Sequence, residues 1–192
     1  MKEELLIRAA SESDIPGIAR LEQACFSDAW SPELLRETLG SPYDRCFVAV
    51  IPGGGEPGAG DTQAEDIPAE GTLTEETQAE GTQAEGTLTK ESPAEETLAG
   101  WCNIRVLLDE AELMRICVLP ELRRNGAGRA LLEAGMEEMR RRGATAATLE
   151  VRAGNTAAVR LYEAHGFVLE GCRKKYYRDP VEDAAIYWNR AL

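Results

Sequence analysis

Arg123-Arg124-Asn125-Gly126-Ala127-Gly128-Arg129 is the run with the clearest chemical potential in this 192-residue chain. It lies between an apolar strand pattern and a long helical one. Glycines there allow close backbone approach and positive φ, so several N–H groups can converge on an anion at a helix N-terminus. A diphosphate is the natural ligand of such a cradle. A tight strand-to-helix turn also needs glycines for steric reasons alone, so the spacing by itself does not name the ligand. The run is not a Walker loop, which needs GxxxxGK[ST], and no downstream acid is clearly placed as a dinucleotide fold would require.

Glu150 is the second candidate. In the run from Ala147 to Ala153, Ala147, Leu149 and Val151 alternate with Thr148, Glu150 and Arg152, the period of a strand, so Glu150 faces away from the apolar side. A carboxylate on such a strand points to function, with an ion pair to Arg152 or Arg173 as the alternative. Tyr162 lies seven residues after Asn155 on a short amphipathic helix, where spacing alone reads as core packing. Asn155 fits the N-cap of that helix, and His165, in its last turn before Gly166, fits a dipole-capping role.

The remaining chemistry is bounded by what is scarce. His165 is the single histidine, so Cys/His zinc sites and histidine-based triads lack their usual parts. The five cysteines (Cys25, Cys46, Cys102, Cys117, Cys172) contain no CxxC pair and read as free thiols in apolar runs. No metal is expected.

The elements that must position these residues follow from periodicity. Leu5 to Ala9, Cys46 to Ile51, Gly100 to Leu108 and Glu112 to Val118 read as strands, and Asp14 to Cys25 and Ser31 to Leu39 as helices, the second capped by Ser31 with Pro32 at its first position. A long helix is expected from about Gly126 to Arg142, with Leu131, Leu132, Gly135, Met136 and Met139 on its apolar face. The strand Ala147 to Ala153 and the helix Thr156 to His165 follow; Phe167 opens another strand, and two terminal strands lie near Cys172 to Tyr177 and Ala184 to Asn189. The expected fold class is α/β (α+β), about seven mostly antiparallel strands with helices on both faces, in a single domain spanning 1–192.

One segment departs from this pattern. Residues 52–99 repeat QAEGT at 78–82 and 83–87 and hold 12 acidic residues against one base, Lys90, so −11 of the formal −13 charge sits there. The composition predicts a disordered acidic insertion between two paired strands, because so little apolar surface cannot offset the entropy of ordering it. The other 144 residues are nearly neutral, with 22 acids against 20 bases, and present no basic stripe for nucleic acid. MKEELLIRAA shows no signal-peptide pattern and no apolar run approaches membrane-spanning length, so a soluble, cytoplasmic protein is expected.

From Leu113 to Phe167 the chain resembles the core of the GNAT superfamily, whose motif [RQ]-x-x-G-x-[GA] is matched by Arg123, Gly126 and Gly128. The runs ICVLPELRRNGAGRALLE, LEVRAGNTAAVRLYEAHGF and RKKYY with a following EDA, together with Trp30-Ser31, resemble the RimI-type N-terminal acetyltransferases. The resemblance implies acetyl-CoA as co-substrate. Its pantetheine would lie along Ile116, Cys117 and Val118, and its pyrophosphate on Arg124, Asn125, Gly126, Ala127, Gly128 and Arg129, with Asn155 as a further contact. Glu150 would take the proton from the attacking amine, Tyr162 would protonate the departing thiolate, and the amide groups near Val118 would polarise the thioester carbonyl. Tyr176, Tyr177, Glu182 and Asp183 would shape the acceptor groove.

The implied acceptor is the N-terminal alanine of a ribosomal protein, with no membrane or direct nucleic-acid partner. Lysine or a small amine as acceptor, or a non-catalytic acyl-CoA-binding module, are the competing readings. The pairing of Glu150 with Tyr162 argues against the last.

Overall fold

The computed structural model describes residues 5–53 and 96–192. The greater part of the acidic segment, 54–95, lies outside the described residues. Its two ends join paired strands: β2 (Asp44–Pro52) and β3 (Glu96–Leu107) are antiparallel neighbours from Asp44↔Arg105 to Pro52↔Glu96. Strand structure thus continues on the far side to Glu96, four residues earlier than the alternating pattern indicated. Thr97 and Leu98 sit opposite Ile51 and Val50 and gain ladder hydrogen bonds that their flanking composition did not advertise.

The remaining elements are β1 (Leu6–Ala9), α1 (Ile15–Cys25), α2 (Pro32–Gly40), β4 (Glu110–Val118), α3 (Ala127–Arg141), β5 (Ala146–Arg152), α4 (Thr156–Ala164), β6 (Val168–Arg178) and β7 (Val181–Asn189). They form a seven-stranded sheet in the order β1-β2-β3-β4-β5-β7-β6, in which only β4 and β5 run parallel. The parallel pair needs a crossover, and α3 supplies it. Where separate strands were expected at Phe167 and near Cys172 to Tyr177, one bulged strand, β6, runs throughout, and Phe167 precedes it as a buried core residue.

Helices cover both faces, and alternation along the strands feeds each layer. Val48, Val50 and Trp101 pack with Ile18, Leu21 and Leu35 of α1 and α2. Ala49, Ile51, Cys102 and Ile104 pack with Leu131, Leu132, Met136 and Met139 of α3. Gly135 of α3 stands where a Cβ would come within 3.1 Å of Ile104, so glycine lets the helix lie close to β3. Ser31 accepts a hydrogen bond from Leu34 N at 3.3 Å and Asn155 one from Ala158 N at 3.2 Å, starting α2 and α4. At the other end of α4, His165 Nδ1 lies 2.7 Å from the Leu161 carbonyl, occupying one of the acceptors that the helix end leaves open. No helix among the described residues is long and apolar enough to cross a membrane.

Candidate active site

The site begins where β4 and β5 part. Their pairing runs from Glu110↔Ala146 to Leu113↔Leu149 and stops, although β4 continues to Val118 and β5 to Arg152. A register shift against β3 pairs Asn103 with Arg115 but Ile104 with Leu113, leaving Met114 as the extra residue of a bulge. One extra residue reverses which face each side chain meets. Before it, Ala111 and Leu113 pack on the α3 side; after it, Ile116 and Val118 do so, while Cys117 turns to the α1 side. Leu119 N donates to Ala99 O at 2.9 Å, so by the alternation of an antiparallel ladder the amide groups of Ile116 and Val118 point away from β3, into the gap that β5 has left.

On one side of the gap lies an open cavity of about 430 Å³, lined by Ile116, Cys117 and Val118, by Arg123, Arg124, Gly126, Gly128 and Arg129, and by the α4 face. Gly126, with φ +92, caps α3, and Arg124 also has positive φ (+68), so the turn is wound to present its amides at the helix start. A Cβ on Gly128 would meet only Val118 Cγ2 at 3.7 Å and Leu161 Cδ2 at 3.9 Å, which are ordinary contacts. The fold therefore does not need glycine at 128, and the vacant side-chain position faces the cavity, as a close-lying ligand would require. Asn125 is exposed and Ala127 buried; neither side chain lines the cavity. Arg129 is paired with Glu133 at 2.8 Å, whereas Arg123 Nε donates to Val118 O at 3.0 Å and ties the turn to the end of β4.

On the other side lies a narrower cavity of about 170 Å³ that holds Glu150, Arg115, Arg152 and Tyr177. The two share Cys25, Phe26, Ile116, Asn155 and Tyr162, so they are two arms of one cleft. Tyr162 stands at the junction. Its ring packs edge-on against Phe167, with centroids 6.1 Å apart, and is buried, while its hydroxyl faces the cleft with no protein partner among the described residues. Burial drives the phenol's pKa well above its ordinary value, so the group stays protonated. Core packing and a place on the cleft wall are thus combined in one residue. Glu150, 21% exposed, meets Arg173 at 3.2 Å, one of the two ion pairs expected for it. Arg152 instead bonds Glu182 and the carbonyls of Asp179 and Pro180.

The connection from α1 to α2 also contributes, and sequence reasoning missed it. Glu22 is fully buried and accepts from Trp30 N at 2.8 Å and Trp101 Nε1 at 3.1 Å, with Arg115 Nε at 3.9 Å. Arg115 lies over Phe26 (4.4 Å) and Trp30 (4.9 Å) and donates to the Asp28 carbonyl at 2.9 Å. This network lays Phe26 and Asp28 along the cleft opposite Glu150. Ile15, Ile18 and Glu22 fall on one buried helical stripe, and an acid in that stripe was the available signal.

The four residues that the resemblance assigns to an acceptor groove are placed in two ways. Tyr177 lines the narrow arm, meets Tyr176 edge-on at 5.2 Å and has the Arg152 guanidinium over its ring at 4.3 Å. Glu182 is used to hold Gly154 N and Arg152, and Asp183 accepts from Lys174 Nζ at 2.7 Å and Lys175 N at 2.8 Å. Both carboxylates brace the β6–β7 hairpin and the turn after β5; the acidic groups of the cleft are Glu150 and Asp28.

Comparison with known proteins adds the family. The model of the acetyltransferase (GNAT) family matches residues 61–167, more than half of the chain. The ribosomal protein bS18-alanine N-acetyltransferase of Escherichia coli (strain K12) is 46% identical over 91 residues, covering 46% of this chain and 62% of that one. A putative enzyme of the same description from Bacillus subtilis (strain 168) is 38% identical over 91 residues, 47% of this chain and 60% of that one. The chain therefore spans about three fifths of the length of the curated relatives it matches. The crystal structure of the ribosomal-protein-S18-alanine N-acetyltransferase from Escherichia coli superposes with a TM-score of 0.66 at 27% identity, covering 96% of this chain and 92% of that one. Arabidopsis thaliana NAA60 in complex with acetyl-CoA shares the fold, with a TM-score of 0.66 at 14% identity over 96% of this chain and 97% of that one. With its parted β4 and β5, its glycine turn at the head of α3 and this family match, the chain belongs to the acetyltransferase (GNAT) family.

Proposed function

We propose that the chain transfers the acetyl group of acetyl-CoA to the N-terminal α-amine of a protein, in a ternary complex, with an alanine-ended ribosomal protein as acceptor. The observation that carries this reading is the two-armed cleft, which puts an anion-binding helix start and a carboxylate on opposite sides of one tyrosine hydroxyl. The relatives' names supply the acceptor.

The wide arm fits the coenzyme. The amides around Gly126 and Gly128 and the guanidinium of Arg124 take the diphosphate, and the edge of β4 at Ile116 and Val118 pairs with the pantetheine amides as a sheet edge pairs with a peptide. Acetyl-CoA brings the acetyl group as a thioester. In the narrow arm Glu150 accepts the proton of the incoming ammonium, directly or through water, which frees the amine's lone pair to attack the thioester carbonyl. The Val118 N–H steadies the carbonyl oxygen as charge builds there. As the carbonyl re-forms and the C–S bond breaks, Tyr162 gives its proton to the departing sulfur, and the surplus proton of the new amide nitrogen restores the phenol.

Acetyl transfer is measured from acetyl-CoA to a short basic peptide beginning with free alanine, beside an N-blocked, lysine-containing twin, for the native chain and Glu150→Gln. Transfer to the free N-terminus alone, lowered on the order of 10²- to 10⁴-fold in the variant, is the expected result. Transfer to the blocked twin would move the acceptor to lysine, and tight acetyl-CoA binding with no transfer would make the chain a binding module.

A further inference from the structure

Cys25 and Cys117 both line the wide arm of the cleft, and the proposed mechanism uses neither thiol. Cys25 ends α1, is half-buried and lines both arms; Cys117 lies on β4 and lines the wide one. As a thiol, Cys25 donates to the Val118 carbonyl at 3.6 Å. Cys117, the residue before Val118, packs in the same cluster as Cys25 on the α1 side and lines the same arm, as does Arg123. The other three cysteines are placed differently. Cys46 and Cys102 are sealed in the two core layers, and Cys172 is exposed on β6.

We infer that Cys25 and Cys117 form an oxidative modification site, a dithiol that a small hydroperoxide converts to a disulfide across the mouth of the cleft.

The thiol chemistry favours Cys25 as the attacking member. The neighbouring Cys117 thiol and the charge of Arg123 lower its pKa despite partial burial, whereas burial pushes Cys46 up to about 12 and raises Cys102 as well. Hydrogen bonding to Cys25 and burial raise Cys117, so it serves as the resolving thiol. The thiolate is the nucleophile, and a low pKa with access to solvent is what marks a peroxide-sensitive cysteine. The Cys25 thiolate attacks one peroxide oxygen; the S–O bond forms, the O–O bond breaks and hydroxide leaves, taking a proton to become water. Cys25 is then a sulfenic acid. Cys117 attacks its sulfur, the S–S bond forms and the S–O bond breaks, and the second hydroxide carries off the Cys117 proton as water. The two sulfurs have given two electrons to the peroxide.

The site is independent of the acetyltransferase reading, and its test reads no acetyl transfer. The reduced full chain is treated with one equivalent of hydrogen peroxide under native conditions, alkylated with iodoacetamide and mapped by mass spectrometry. A Cys25–Cys117 cross-linked peptide, about 2 mass units lighter than the sum of its thiol parts, with Cys172 still alkylated, is expected. In Cys117→Ser the cross-link disappears and dimedone traps Cys25 as a sulfenic acid, a readout that does not depend on pairing. Native Cys25 and Cys117 both recovered as alkylated thiols, or Cys172 oxidised ahead of Cys25, would overturn the inference.

Discussion

Arg173 Nη1 stands 3.2 Å from Glu150 Oε1, so the proposed base is already engaged by a cation carried on the edge strand β6. In the proposed reaction an incoming α-ammonium takes the place of that guanidinium. Arg173 is 56% exposed, and an ion pair so open to solvent contributes at most about 1 kcal/mol, roughly a fivefold change in an equilibrium. Arg173→Ala is therefore expected to lower KM for an alanine-ended peptide about two- to fivefold with little change in kcat. Initial rates against peptide concentration decide it. A rise in KM would mean that Arg173 itself holds the acceptor.

Tyr162 packs in the core and, in the proposed mechanism, gives up a proton, and substitution separates the two. Tyr162→Phe keeps the ring against Phe167 and removes a hydroxyl that has no hydrogen-bond partner among the described residues, so stability should change by less than about 0.5 kcal/mol while kcat falls on the order of 10²-fold. Tyr162→Ala should cost about 3–5 kcal/mol, because a buried aromatic leaves a cavity. The pH behaviour has a definite sign. The folded pKa lies above the unfolded value near 10, so the stabilisation from burying the neutral phenol is complete below pH 10 and is lost as pH climbs toward the folded value. Thermal melts of the native chain should decline above pH 10 more steeply than those of Tyr162→Phe.

Glu22 reaches the cleft through Arg115. Glu22→Ala leaves that guanidinium without its buried acid and frees the Trp30 and Trp101 N–H groups, at a cost of about 3–5 kcal/mol. Glu22→Gln keeps the shape and tests the charge. Burial raises the Glu22 carboxyl's pKa although Trp30, Arg115 and Trp101 all favour the ionised form. A folded pKa above the unfolded one gives stability that is complete below the unfolded value and lost as pH rises through the folded value. Urea unfolding from about neutral pH down to about pH 5 should therefore show the native chain gaining on Glu22→Gln. Parallel curves would remove the charge from the account.

These residues also mark how far the sequence carries. The period of two that turned Glu150 away from Leu149, and the helical stripe from Leu131 to Met139, are local consequences of strand and helix geometry and were legible as spacing. So was the glycine turn, because positive φ is a property of the residue type. Arg115 reaches Asp28 across 87 positions, and Met114 becomes a bulge only through its pairing with β3, so neither has a signature in its own neighbourhood. Glu182 and Asp183, which the family resemblance assigned to the acceptor groove, have partners, Gly154 N and Lys175 N, that are likewise fixed by the hairpin's fold rather than by spacing.

Gly126 and Gly128 stand two residues apart and should respond in opposite ways. At Gly126, φ +92 is a conformation an L-residue adopts at a cost of about 1–2 kcal/mol, so Gly126→Ala should lower stability by that amount, although no atom lies within 4 Å of the new methyl. Gly128 lies in the first turn of α3 with room for a Cβ, so Gly128→Ala should raise stability by up to about 1 kcal/mol. That methyl points into the wide arm, where it displaces whatever lies closest to the turn, and acetyl-CoA should bind about tenfold more weakly, the equivalent of about 1.4 kcal/mol. Calorimetric titration with acetyl-CoA beside thermal melts reads both quantities from one preparation. A more stable Gly128→Ala chain that binds the coenzyme less well would place the ligand against this turn, because a change confined to the fold cannot strengthen one and weaken the other; unaltered affinity would put the diphosphate elsewhere in the cleft.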